Sequence, residues 1–201
     1  MKKYFFLFLI IIGCEKINKT VTIDKLSVYR TSRDSTYFFK NEPFSGNVYE
    51  INDLGKKIRS FNVIEGKLNG TYEEFFANGD IKISIEMKFG IKNGQFKRFY
   101  ENGNIKESMF YVNDLLSGKR ISYWGNWLKK EENNFVSGAL RGENIFYYSN
   151  GQVRRRIFFD LDGNQTGEWL EYDRNGKLKQ NKKYWIVITK FMSIKFHKVS
   201  S

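Results

Sequence analysis

The stretch GTYEEFFANGDIK, Gly70 to Lys82, returns 24 residues later as GQFKRFYENGNIK, Gly94 to Lys106. Its leading glycine recurs at Gly46, Gly70, Gly94, Gly118, Gly142 and Gly167, at spacings of 24, 24, 24, 24 and 25. A second glycine follows nine positions later at Gly55, Gly79, Gly103, Gly151 and Gly176, while the fourth copy has Trp127 there. Two nested series in one register define a repeat, and a repeat this short is one supersecondary unit that buries its apolar side against its neighbours.

Four of the second glycines follow asparagine, at Asn78, Asn102, Asn150 and Asn175. Asn-Gly between apolar runs predicts a β-hairpin with a two-residue type I′ turn, both of whose central residues need positive φ. Four residues before each leading glycine stand Gly66, Gly90, Asp114 and Gly138, with Gly163 across the longer last spacing. These types tolerate left-handed backbone, so the chain reverses there too. The expected fold is all-β: an elongated antiparallel meander of about six 24-residue hairpins, hence about twelve strands in a single sheet.

With Asn78 and Gly79 as the turn, Phe76 faces Ile81, Glu74 faces Ile83 and Tyr72 faces Ile85. One face then carries Ile81, Ile83, Ile85 and Met87, and the other Lys82, Ser84, Glu86 and Lys88. The third repeat gives Phe96, Tyr100, Ile105, Met109 and Tyr111 on the apolar side, and the fifth gives Tyr148, Val153, Ile157 and Phe159. On the opposite side two series stand out: Phe75, Phe99, Tyr123, Tyr147 and Tyr172 after Ile51, and Lys82, Lys106, Lys130, Arg154 and Lys179. The assumed register sets rings across from cations, either as stems that keep the sheet soluble or as a docking face for an acidic partner, a glycan or lipid headgroups.

Outside the repeats, Lys2-Lys3, an apolar run from Tyr4 to Ile12 and Gly13-Cys14 follow the order of a secretory signal. About ten apolar residues fall short of the roughly 20 a membrane span requires. Ile11-Ile12-Gly13-Cys14 resembles the bacterial lipobox, which implies lipidation of Cys14, the only cysteine, and a chain tethered to a membrane of the cell envelope. The expected organisation is a lipoprotein signal peptide over 1–13, a tether and N-terminal cap over 14–43, the repeat domain over 44–180, and a capping strand with a basic tail over 181–201. Short β-like runs within the cap fall at Val21 to Ile23, Leu26 to Tyr29 and Tyr37 to Phe39.

Charge and composition exclude several classes. The chain of 201 residues carries +12, and +10 once Lys2 and Lys3 are removed. Residues 181–201 hold five basic and no acidic side chains, half of that excess. A nucleic-acid partner is not expected, because the charge is not concentrated on the repeats and export removes the chain from cytoplasmic DNA and RNA. One cysteine forbids an internal disulfide, and one histidine, His197, leaves no His-rich metal site. Glu73-Glu74 and Glu131-Glu132 are strand neighbours that point to opposite faces and cannot converge on one bond. Asp160-Leu161-Asp162-Gly163-Asn164 lacks the ligand order of a calcium loop and reads as a turn. No cofactor, metal or catalytic residue is expected.

The units starting at Gly70 and Gly94, with the entry Asn41-Glu42-Pro43-Phe44-Ser45-Gly46, resemble the MORN-repeat variant of bacterial proteins labelled YwqK-type antitoxins. The resemblance covers residues 44–180 and implies successive hairpins used as a binding scaffold. It leads to the expectation of a non-enzymatic scaffold at the bacterial envelope that binds a protein partner. The alternative is an antitoxin or immunity protein neutralising a cognate toxin, and a third reading is a surface protein that contacts lipid or glycan. Trp124-Gly125-Asn126-Trp127 departs from the repeat, which predicts a shifted or irregular fourth hairpin.

Overall fold

The computed structural model describes residues 19–31 and 34–184. Its strands are β1 (Thr20–Thr22), β2 (Ser27–Arg30), β3 (Ser35–Phe39), β4 (Glu42–Pro43), β5 (Gly46–Ile51), β6 (Lys57–Ile64), β7 (Lys67–Phe75), β8 (Ile81–Lys88) and β9 (Ile91–Phe99). They continue as β10 (Ile105–Val112), β11 (Leu115–Leu116), β12 (Gly118–Tyr123), β13 (Lys129–Val136), β14 (Ala139–Leu140), β15 (Gly142–Tyr147), β16 (Val153–Phe159), β17 (Gln165–Tyr172) and β18 (Leu178–Tyr184). From β5 to β18 the chain is an antiparallel meander in which strands adjacent in sequence pair in space, with the short β11 and β14 attached beside β10 and β13. The hairpin meander expected from the repeat is therefore the fold.

The two kinds of turn are exchanged relative to the expectation. At Asn78-Gly79 only the glycine has positive φ, +94°. The Phe76 carbonyl accepts from the Gly79 N–H at 2.9 Å, and the Phe76 N–H donates to the Asp80 carbonyl at 2.8 Å. This is a three-residue loop, a type I turn closed by a left-handed glycine, and it brings a bulge with it. The type I′ turns lie instead in the connectors, where both central residues have positive φ: Glu65-Gly66, Phe89-Gly90, Asn113-Asp114 and Ser137-Gly138. Two alternatives for the same residue types were decided by one extra loop residue.

That residue resets the side chains near every turn. Glu74 pairs with Ile83 and Tyr72 with Ile85 as expected, but Ile81 pairs with Phe75, not Phe76. Ile81 consequently moves to the opposite face from Ile83, and Ile105 and Val153 move likewise, pairing with Phe99 and Tyr147. The extra residue in each bulge is the one twelve after the leading glycine: Ile58, Lys82, Lys106, Lys130, Arg154 and Lys179.

The fourth hairpin is regular, contrary to expectation. The Trp127 N–H donates to the Trp124 carbonyl at 3.1 Å, the Trp124 N–H donates to the Leu128 carbonyl at 2.8 Å, and Trp127 adopts φ +69° in the glycine's place. Asp160 to Asn164 forms the same loop, with the Gly163 N–H donating to the Asp160 carbonyl.

The N-terminal segment closes one end. β1 pairs in parallel with β5 and covers the first edge of the meander, while β2, β3 and β4 form a separate three-stranded sheet. Tyr37 and Phe44 from this region pack with Val48, Phe61 and Val63 of the first hairpin in a buried cluster. The rings of Tyr37 and Phe61 lie 5.2 Å apart. The single layer expected from the repeats is thus two layers thick at this end. The last strand among the described residues, β18, carries the exposed Lys179, Lys182 and Lys183, and charges on a terminal strand discourage pairing with another sheet.

Candidate functional site

Cross-strand pairs trace a row of polar residues across the face that also carries Phe61 and Tyr72: Glu50 with Arg59, Arg59 with Glu74, Arg98 with Glu107, Glu107 with Ser122 and Ser122 with Glu131. The side expected to be apolar is therefore apolar beside the connectors and charged towards the hairpin turns. At the first hairpin Glu50 bonds the Arg59 guanidinium and raises its pKa further, and the Tyr72 hydroxyl donates to Glu74 Oε1 at 3.0 Å.

Between the third and fourth hairpins this row sinks into a groove of about 390 Å³. Its floor is Glu107, 8% exposed. Arg120 Nε donates to Glu107 Oε1 at 2.7 Å and Arg120 Nη1 to Glu131 Oε2 at 3.5 Å, while Arg98 Nη1 lies 3.8 Å from the other Glu107 oxygen. Both carboxylates are thereby engaged by arginine. Lys106 Nζ stands 5.3 Å from the centre of the Tyr100 ring, and Lys130 Nζ stands 4.9 Å from that of Trp124. Neither lysine makes an ion pair among the described residues. Ser122 Oγ and Trp124 Nε1 are buried without a hydrogen-bond partner.

The two predicted series do not form the single ladder expected of them. Bulging places Lys106 and Lys130 over Tyr100 and Trp124, which sit sixth after their leading glycines, rather than over Phe99 and Tyr123, which sit fifth. Alternation along β9 puts Phe99 on the opposite face from Arg98 and hence away from the groove. Tyr123 borders the groove, and its carbonyl accepts the Tyr100 hydroxyl at 2.8 Å. Phe75 lies beneath Lys57 Nζ at 5.5 Å. Burial raises the Tyr147 phenol, helped by nearby Glu132. Tyr172 lines a second groove of about 320 Å³ with Arg156, Phe158 and Leu170. Lys82, Arg154 and Lys179 are exposed at their bulges. Cys14, His197 and the tail beyond residue 184 lie outside the described residues.

Arg98, Tyr100, Glu107, Arg120, Ser122, Trp124 and Glu131 were not singled out in the sequence as groove residues. Their positions two, four, six and thirteen after a leading glycine were the available signal, but reading it requires the bulge. The residue just before the leading glycine carries a further signal: Ser45 Oγ, Asn69 Oδ1 and Asn93 Oδ1 accept the N–H of Glu65, Phe89 and Asn113, fastening the first three connector turns to the segment one repeat earlier.

Among the described residues no cluster of acidic, histidine or cysteine side chains is arranged to hold a metal ion, and no helix is long and apolar enough to cross a membrane. The geometry defines a protein of stacked β-hairpin repeats with a charged, aromatic-lined groove between the third and fourth. The model of the MORN repeat variant family matches residues 68–88, 92–113, 140–161 and 165–185, so these repeats belong to that family. The hairpin carrying Trp127 lies between matched segments. A search of curated proteins gave no match.

Proposed function

We propose that this chain is a non-catalytic scaffold of MORN-variant repeats that holds a protein partner at the bacterial cell envelope, tethered by a lipid on Cys14. The observation that supports the reading is the groove's surplus of hydrogen-bond donors on an open sheet face. Its carboxylates are engaged internally by arginine, which suits recognition, and no nucleophile is paired there with a general base. The signal-like order of residues 1–14 supports the location.

Two measurements test it. Palmitate should label the wild-type chain and not Cys14→Ala, and the variant should leave the membrane fraction. Crosslinking in intact envelopes should trap a discrete protein in an amount comparable to the chain; equal labelling of the two, or crosslinks to lipid or glycan alone, overturns the reading. A trapped toxin would make the scaffold an immunity protein.

A further inference from the structure

Building on that scaffold reading, we infer that the groove between the third and fourth hairpins binds an extended acidic segment of the partner, with carboxylates at every third residue. The inference begins with an inventory of donors and acceptors. Four cationic side chains, Arg98, Lys106, Arg120 and Lys130, border the groove against two carboxylates, Glu107 and Glu131. Arg120 spans both carboxylates and Arg98 stands beside Glu107. Lys106 and Lys130 remain over aromatic rings without a carboxylate. A ligand that completes this set brings negative charge to the two lysines.

Spacing selects the form of the ligand. Lys106 and Lys130 occupy the same position in successive repeats, as do Tyr100 and Trp124, so each pair is two strand spacings apart, about 9.6 Å. A polyproline II segment rises about 3.1 Å per residue with three residues per turn, so side chains on one side recur about every 9.3 Å. Each turn of such a segment would bring a carboxylate to one lysine. Aromatic-lined grooves suit this conformation because little ordering entropy is lost on binding. A lipid surface offers no such fixed period along one chain.

The test uses the full chain and a twelve-residue peptide of four Glu-Pro-Pro triplets, followed by titration calorimetry. Saturable binding is expected, weakened about tenfold when every glutamate becomes glutamine, and weakened similarly by Lys106→Gln with Lys130→Gln. Among the described residues both lysines make no ion pair and contact only the Tyr100 and Trp124 rings, so the double variant should lower the melting temperature only slightly, and binding measured well below it reports the groove and not unfolding. A peptide of identical composition with its four glutamates contiguous should bind several-fold more weakly. Equal affinity for the glutamine peptide or for the contiguous one overturns the inference. So does binding to phosphatidylglycerol vesicles but not to the peptide, or no binding at all. A discrete protein crosslinked in envelopes alongside failure with the peptide would sink the groove assignment and leave the scaffold standing.

Discussion

The Tyr148 hydroxyl donates to the main-chain carbonyl of Tyr172, 2.9 Å away and one repeat further along the chain. Tyr100 makes the equivalent bond to Tyr123. These bonds tie the start of one turn to the strand end of the next hairpin, a tie that Phe76 cannot make for lack of a hydroxyl. Tyr148→Phe keeps the ring beneath Arg174 and deletes only the hydroxyl. It should cost about 1 kcal/mol, read as a lower urea midpoint at unchanged m-value. An unmoved midpoint would show that the bond contributes nothing.

Trp127 holds φ +69° and is 68% exposed, so it occupies a glycine position without gaining burial. Left-handed backbone costs a residue with a side chain about 1–2 kcal/mol, while glycine loses about 0.5–1 kcal/mol through the freedom of the unfolded chain. Trp127→Gly should therefore stabilise the chain by about 0.5–1 kcal/mol and raise its melting temperature. A lower melting temperature would mean that the indole makes contacts outweighing its strain.

Period and strand count were legible in the sequence because glycines and reversals depend on local backbone chemistry, which recurs with the residues. Register close to the turns was not. Asn-Gly fits both a two-residue type I′ loop and a three-residue type I loop with a bulge, and the choice moves Ile81 and Lys106 relative to their expected partners. Glu107 illustrates the consequence. Its burial depends on Arg120 from the next repeat and Arg98 from the preceding strand, a relation visible only once the bulge is placed. The fourth hairpin misled in the opposite sense, since Trp127 breaks the glycine pattern while keeping the glycine conformation.

Gly46 is where backbone approach is tightest. With φ +149°, a Cβ there would lie 2.2 Å from the Lys19 carbonyl oxygen, which itself accepts the Asn47 N–H at 2.8 Å. Gly46→Ala must push the Lys19 backbone away and should loosen β1 from β5. Hydrogen exchange is the direct measure: amides of β1 and β5 should lose protection while those of β16 and β17 keep theirs. Uniform protection in the variant would show that the first edge adjusts without releasing β1.

Glu132 gives the chain an acid-sensitive element. Lys119 Nζ and Lys129 Nζ donate to its two oxygens at 2.6 and 2.7 Å, and these bonds hold its carboxyl below the ordinary value of about 4.5. The native state therefore binds this proton less readily than the unfolded chain. Its stabilisation is fully present above about pH 4.5 and is lost as pH falls through the lower native value. The Glu132 side chain is only 13% exposed, so salt screens the pair less than a fully solvated one. Glu132→Gln removes the titration, and the gap between wild-type and variant melting temperatures should be widest near neutral pH and narrow steadily below pH 4.5. Parallel curves from pH 7 to pH 3 would mean that the two lysines contribute no net stability through this carboxylate.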